Sequence, residues 1–119
     1  MRDPLIAVVG VCASGKTTLV NALQAHGYRA RQVSQEHSYV PDMWQRITMP
    51  DILICLDASL ETIRRRRSDD QWPEQLLRLQ VQRLSFARTH CDLYIWTDML
   101  APEEVLQNSL VFLAGFRAA

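Results

Sequence analysis

Two uninterrupted apolar runs, LIAVV at 5–9 and ILICL at 52–56, stand out from a chain whose apolar and polar positions otherwise mix at helical spacing. Short runs rich in Val, Ile and Leu are the mark of strands buried on both faces, so each predicts an inner strand of a parallel sheet. Between them, residues 16–26 (KTTLVNALQAH) place Leu19, Val20 and Leu23 on one helical face and end at Gly27, a residue suited to a helix stop. Residues 28–33 predict a short second strand. Residues 34–50 are the least regular part, although DMWQRITM between Pro41 and Pro50 fits one helical segment.

The second half repeats the alternation. Asp57 or Ser59 can cap a helix that carries Glu61 in its first turn and Arg64 to Arg67 in its last, and Ser68 to Pro73 break it. Leu77, Val81 and Leu84 at helical spacing predict a helix from about residue 74 to residue 89. Leu93 to Trp96 read as a last strand. Pro102, followed by Glu103 and Glu104, suits the first turn of a final helix running to about Phe112. Strands alternating with helices imply parallel pairing and right-handed crossovers. The expected fold class is therefore α/β: a three-layer sandwich, with a parallel sheet of about four strands and helices on both faces, forming one domain over residues 1–119.

Composition narrows the functional classes. Thirteen basic residues balance 13 acidic ones, so nothing suggests a nucleic-acid surface or an anionic membrane as a partner. No apolar run reaches the roughly 18 residues that span a bilayer, and the run after Met1-Arg2-Asp3-Pro4 is shorter than a signal-peptide core. These features predict a cytoplasmic protein. Cys12, Cys55 and Cys91 are too dispersed for a disulfide framework, and His26, His37 and His90 lack the spacing of zinc ligands. Of the 13 basic residues, 12 are arginine and one is lysine. The one lysine, Lys16, stands where a compact charge on a flexible stem serves better than a planar fork.

Its surroundings explain that choice. Residues 10–17, GVCASGKT, match the pattern GxxxxGK[ST] at every fixed position. At average residue usage, a random chain of this length would match in well under about 1% of cases. The pattern also follows a predicted strand and opens a predicted helix, which is the context it requires. In such a loop, glycine lets the backbone close around phosphate oxygens, and the helix N-terminus adds its unpaired N–H groups and dipole. Lys16 then reaches the β- and γ-phosphates, and the Thr17 hydroxyl coordinates Mg²⁺. The expected ligand is a nucleoside triphosphate with Mg²⁺. ATP is preferred over GTP because no NKxD-like guanine-reading segment is present.

With GVCASGKTTLVNAL, PDILICLDASLETIRRRR and CDLYIWTDMLAPEEVLQNSLVFL in these positions, the chain resembles the P-loop small-molecule and nucleotide kinases. Adenylylsulfate, gluconate, dephospho-coenzyme A and nucleoside monophosphate kinases are the groups it is similar to, in an unusually compact form. The resemblance implies a kinase that transfers the γ-phosphate of Mg-ATP to a small acceptor. It also implies a short lid near Arg64 to Trp72, and Thr97 and Asp98 near the base. Four consecutive arginines point in all directions around a helix, so only some can face the site; Arg64 and Arg67 are the candidates.

Two acids compete to serve Mg²⁺ or to position the nucleophile. Asp57 ends the ILICL run, as a metal-holding acid beside the phosphate loop would. In the kinases it resembles, however, this position begins the lid helix. Glu36 follows the second strand and reaches the carboxyl edge of the sheet if that strand lies beside the first. It could orient metal-bound water or act as a general base. The residues expected to carry chemistry are thus Lys16, Glu36, Asp57, Arg64 and Arg67. Gly10, Ala13, Ser14, Gly15, Lys16, Thr17 and Thr18 would hold the nucleotide, and Thr17 and Glu36 the metal. Tyr39, Asp42, Trp44 and Arg46 could line a small acceptor pocket or pack over the sheet. Because so little chain is left for that pocket, a second reading stands beside the kinase: a nucleotide-binding or ATPase module that regulates a partner.

Overall fold

The computed structural model describes residues 3–118; Met1, Arg2 and Ala119 of the predicted domain lie outside them. The two apolar runs form strands β1 (Leu5–Gly10) and β3 (Ile52–Asp57), which pair in parallel from Ile6 opposite Ile52 to Gly10 opposite Leu56. Strand β2 (Arg29–Gln32) lies on the outer side of β1, and β4 (Leu93–Trp96) on the outer side of β3. The sheet is four-stranded and all-parallel, in the order β2-β1-β3-β4. As expected of inner strands flanked on both faces, every residue of β3 is buried, whereas the edge strand β2 buries only Ala30.

Alternation along β1 and β3 feeds two cores. Ile6, Val8, Ile52, Ile54 and Leu56 face helices α1 (Lys16–Ala25) and α6 (Pro102–Ala118), meeting Leu19, Val20, Leu23, Val105 and Leu113. Ala7, Val9, Leu53 and Cys55 face the opposite layer, where Trp44, Ile63, Leu84 and Ala87 pack. That layer is built from α2 (Met43–Thr48), α3 (Leu60–Arg67), α4 (Glu74–Arg83) and α5 (Ser85–His90). Each fully buried Leu, Ile or Val adds about 1.5–3 kcal/mol of transfer free energy, so these paired cores supply the main drive to fold.

Two details differ from the sequence expectations, and a third decides between alternatives the sequence left open. The helix predicted over residues 74–89 is two helices, because Leu84 bends the backbone between α4 and α5 while remaining fully buried. Ser59, not Asp57, caps α3: its hydroxyl accepts the Thr62 N–H. The last helix continues to residue 118, past Gly115. No helix among the described residues is long and apolar enough to cross a membrane.

Parallel pairing sends the carboxyl ends of all four strands to one edge, and the 10–17 loop leaves β1 there. Gly10 is the tight point of that edge. A Cβ at residue 10 would lie 2.5 Å from the Leu56 carbonyl oxygen and 2.6 Å from Ser14 Oγ. Neither neighbour can retreat cheaply, since one is backbone of β3 and the other a buried side chain. Gly10→Ala is expected to destabilise the fold by about 1–3 kcal/mol, read from the urea midpoint, because overpacking at a fixed backbone forces the strand and loop apart.

Candidate functional site

The loop between β1 and α1 depends on two residues with positive φ. Gly15, at +105°, is the N-cap of α1, and Ala13 adopts +58°. The Gly15 conformation suits a residue without a Cβ, whereas at Ala13 the left-handed backbone costs about 1–2 kcal/mol. The first intrahelical bond of α1 runs from Leu19 N–H to Gly15 O. The N–H groups of Lys16, Thr17 and Thr18 therefore have no acceptor within the helix, and no side chain caps it. This uncapped helix end opens into a cavity of about 620 Å³.

The walls come from the end of β2 and the segments that follow β1, β2 and β4, together with one residue of α3. Residues 12–19 form the floor, with Gln32 and Glu36 on one side and Arg66, Thr97, Leu100, Pro102 and Val105 on the other. The Lys16 ammonium, 7% exposed, donates to Gly10 O at 2.9 Å and Val11 O at 3.0 Å, and lies 2.9 Å from Glu36 Oε2. Its three protons thus meet three acceptors. Glu36 is itself buried, and its second carboxylate oxygen has no hydrogen-bond partner; the buried Ser14 hydroxyl in the same cavity wall also has none. Unpaired buried oxygens of this kind cost free energy that a ligand can recover.

Glu36 is held by a strap, residues 34–44, which begins with a 3₁₀ turn at Gln35–His37. Gln35 is fully buried. Its amide donates to Val40 O and Arg83 O, and its carbonyl accepts the Trp44 N–H at 2.9 Å. Arg83 donates to Glu36 O and lies over the Tyr39 ring, 4.4 Å from its centroid. One turn earlier on the same helix, Gln80 accepts the Cys12 N–H at 2.8 Å. Residues 80 and 83 of α4 thus brace the loop and the strap from one helical face.

Across the cavity, Arg66 donates to Ala13 O at 2.9 Å, Thr97 Oγ1 at 3.0 Å and Thr97 O at 2.7 Å. The Thr97 hydroxyl also contacts Ser14 O and Asp57 O. Loop, α3 and β4 are stitched together through these two side chains. Burial lowers the pKa of Arg66, partly offset by Asp98. Asp98 caps the start of α3 through the Ser59 N–H. Burial acts to raise its pKa, but hydrogen bonds from Ser59 and Thr62 outweigh that and hold it below the usual carboxylate value.

The predicted residues divide accordingly. Lys16, Thr17, Thr18, Ala13, Ser14, Gly15 and Glu36 line the cavity, and Gly10 binds Lys16 behind it. Asp57, Arg64 and Arg67 are not among its lining residues. Asp57 is 3% exposed and turned toward α5, where its carboxylate accepts from Arg88, Tyr94 Oη at 2.6 Å and the Ala58 N–H. Burial, followed by the bond to Asp57, raises the Tyr94 pKa, and burial pushes Cys55 on the same strand up to about 12. Arg64 donates to Trp72 O and so fixes the 68–73 turn. Arg67 donates to the Sγ of Cys12, a loop residue that itself lines the cavity. Arg66 was not singled out from the sequence, although Ile63 three residues earlier marks the buried face it shares. The structural amides Gln32, Gln35 and Gln80 carry no comparable signal.

For a metal, the side-chain oxygens among the residues lining the cavity include Thr17 Oγ1, Gln32 Oε1 and the Glu36 carboxylate. Among the described residues, no group of three or more His, Cys, Asp or Glu side chains could hold one. Such a donor set suits a hard cation that brings further oxygens with its ligand, as Mg²⁺ does with phosphates. Tyr39, Asp42, Trp44 and Arg46 do not join the cavity: Trp44 packs in the core, Tyr39 is 83% exposed, and Arg46 pairs with Asp42.

The Asp57 cluster carries its own test. Asp57→Ala would leave Arg88 without its carboxylate in a largely buried place, a loss of about 3–5 kcal/mol. Thermal denaturation should show that loss, while the folded protein keeps its affinity for any ligand of the cavity.

No protein-family model matches the chain, and no curated protein is significantly similar to it.

Proposed function

We propose that this chain is a compact ATP-binding protein of the P-loop kind, and that it transfers the γ-phosphate of Mg-ATP to a small acceptor. The observation that carries the reading is the uncapped N-terminus of α1, with Lys16 beside it, facing a cavity large enough for a nucleotide. Free N–H groups, a helix dipole and an ammonium all converge on one point, which is what a polyphosphate requires. The wall of Leu100, Pro102 and Val105 offers an apolar slot for a planar base, with Arg66 and Thr97 in the same wall.

In this reading Lys16 exchanges one of its present acceptors for phosphate oxygen, and Glu36 is released to accept a proton from the attacking hydroxyl or to orient it. Bound Mg²⁺ would neutralise charge on the β- and γ-phosphates. The oxygens of Thr17, Gln32 and Glu36 fit that ion, since all are hard donors and Glu36 has an unpaired oxygen. Arg66 is the arginine placed to act on the nucleotide, although its donors now rest on backbone and Thr97 oxygens.

A second reading is favoured by one observation. The strap that would have to form an acceptor pocket is packed down by Gln35 and Trp44 and contributes only Glu36 to the cavity. A protein that hydrolyses nucleotide slowly to control a partner needs no such pocket.

Calorimetry with Mg-ATP is expected to show binding that Lys16→Ala weakens by at least about tenfold, the loss of one charge-assisted contact worth about 1.5–3 kcal/mol. Equal affinities would refute phosphate binding by the loop. Removing the competing carboxylate should act in the opposite direction. Glu36→Gln is expected to tighten Mg²⁺-free nucleotide about tenfold, or about 1.4 kcal/mol, and to slow turnover. Incubation with ATP and a broad panel of hydroxyl and phosphate acceptors separates the two readings: a phosphorylated product supports the kinase, and ADP release alone supports the module.

A further inference from the structure

Thr17 Oγ1 donates to Gln32 Oε1 at 2.6 Å, and both side chains lie on the cavity wall. Gln32 is the last residue of β2, opposite Val8 of β1, two residues before the loop begins. It joins the end of an edge strand to the start of α1. The buried Glu36 carboxylate lines the same side of the cavity.

We infer that Gln32 is a direct protein ligand of the divalent cation of the nucleotide site, with its amide oxygen beside the Thr17 hydroxyl. This rests on reading the 10–17 loop as a Mg-nucleotide site. The spacing suits it. Two neighbouring ligands of an octahedral Mg²⁺, each about 2.1 Å from the metal, lie about 3.0 Å apart. The Thr17 and Gln32 oxygens need to separate by only a few tenths of an ångström, with the hydroxyl proton turning away toward the nucleotide. Both oxygens are neutral and hard, so they accept Mg²⁺ without adding negative charge beside the phosphates.

The assignment also accounts for the buried Asp57. A strand-end acid is expected to hold the cation in proteins with this loop. Here the carboxylate at that place is committed to Arg88 and Tyr94. Gln32, reaching in from the opposite side of β1, provides an oxygen where Asp57 provides none.

The test measures binding of the β,γ-imido analogue of ATP by calorimetry, once with Mg²⁺ and once with EDTA. The wild-type protein is expected to bind more tightly with Mg²⁺. Gln32→Ala should lose about tenfold of that gain, as removal of a metal-orienting group typically does, and keep its EDTA affinity within about twofold. Gln32→Glu, which retains an oxygen at the same reach and adds charge, should restore the gain or exceed it. Equal loss with and without Mg²⁺ would mean that Gln32 only shapes the loop, and would overturn the assignment; so would an unchanged gain in Gln32→Ala. Wild-type protein that binds the analogue under neither condition would refute the nucleotide reading itself, and this assignment with it.

Discussion

Everything at the carboxyl edge of the sheet is arranged around a buried ammonium. Lys16 sits 7% exposed within the 10–17 loop, and desolvating such a charge costs several kcal/mol unless it is matched. Two loop carbonyls and the Glu36 carboxylate match it. Glu36 can do so only if residues 34–44 are fixed, which is the work of the fully buried Gln35 and of Arg83. Helix α4 therefore belongs to the site although it contributes no residue to the cavity wall. Its Gln80 holds the loop, its Arg83 holds the strap, and the ion pair lies between the two.

The opposite wall obeys a different constraint. The loop must present N–H groups to the cavity, so its carbonyls need acceptable partners elsewhere. Arg66 takes the Ala13 carbonyl, Thr97 takes that of Ser14, and Lys16 takes those of Gly10 and Val11. Four of the five carbonyls from Gly10 to Ser14 are thus met by three side chains, two of them cationic. The αL backbone at Ala13 is tolerable within this frame because its cost of about 1–2 kcal/mol is spread against several charge-assisted bonds.

How much of this was legible in the sequence follows from what each feature depends on. The inner strands and the loop were readable because burial on two faces and a glycine-dependent turn both restrict residue type at fixed spacing. Glu36 was readable from its place after β2. The fate of Asp57 was not, because Arg88, its partner, lies 31 residues away and only the packing of α5 on β3 joins them. The division of helix 74–89 was hidden for a related reason: Leu84 continues the apolar spacing without a break, and only its backbone angles (φ −95°, ψ −2°) separate α4 from α5. The amides of Gln35 and Gln80 were invisible, since a glutamine that replaces a missing backbone partner looks in sequence like one that faces water.

That difference also bears on how a ligand would act. The bracing residues bind backbone groups, so they hold the loop in one shape whether or not the cavity is filled. The groups that face the cavity bind one another: Lys16 with Glu36, and Thr17 with Gln32. If the site takes the proposed nucleotide, a polyphosphate with its cation would offer oxygen to Lys16 and a positive charge to Glu36, Thr17 and Gln32, so that both pairs would exchange partners. Because the loop's shape is already fixed, binding has little ordering entropy to overcome, and most of the interaction energy is available to the ligand.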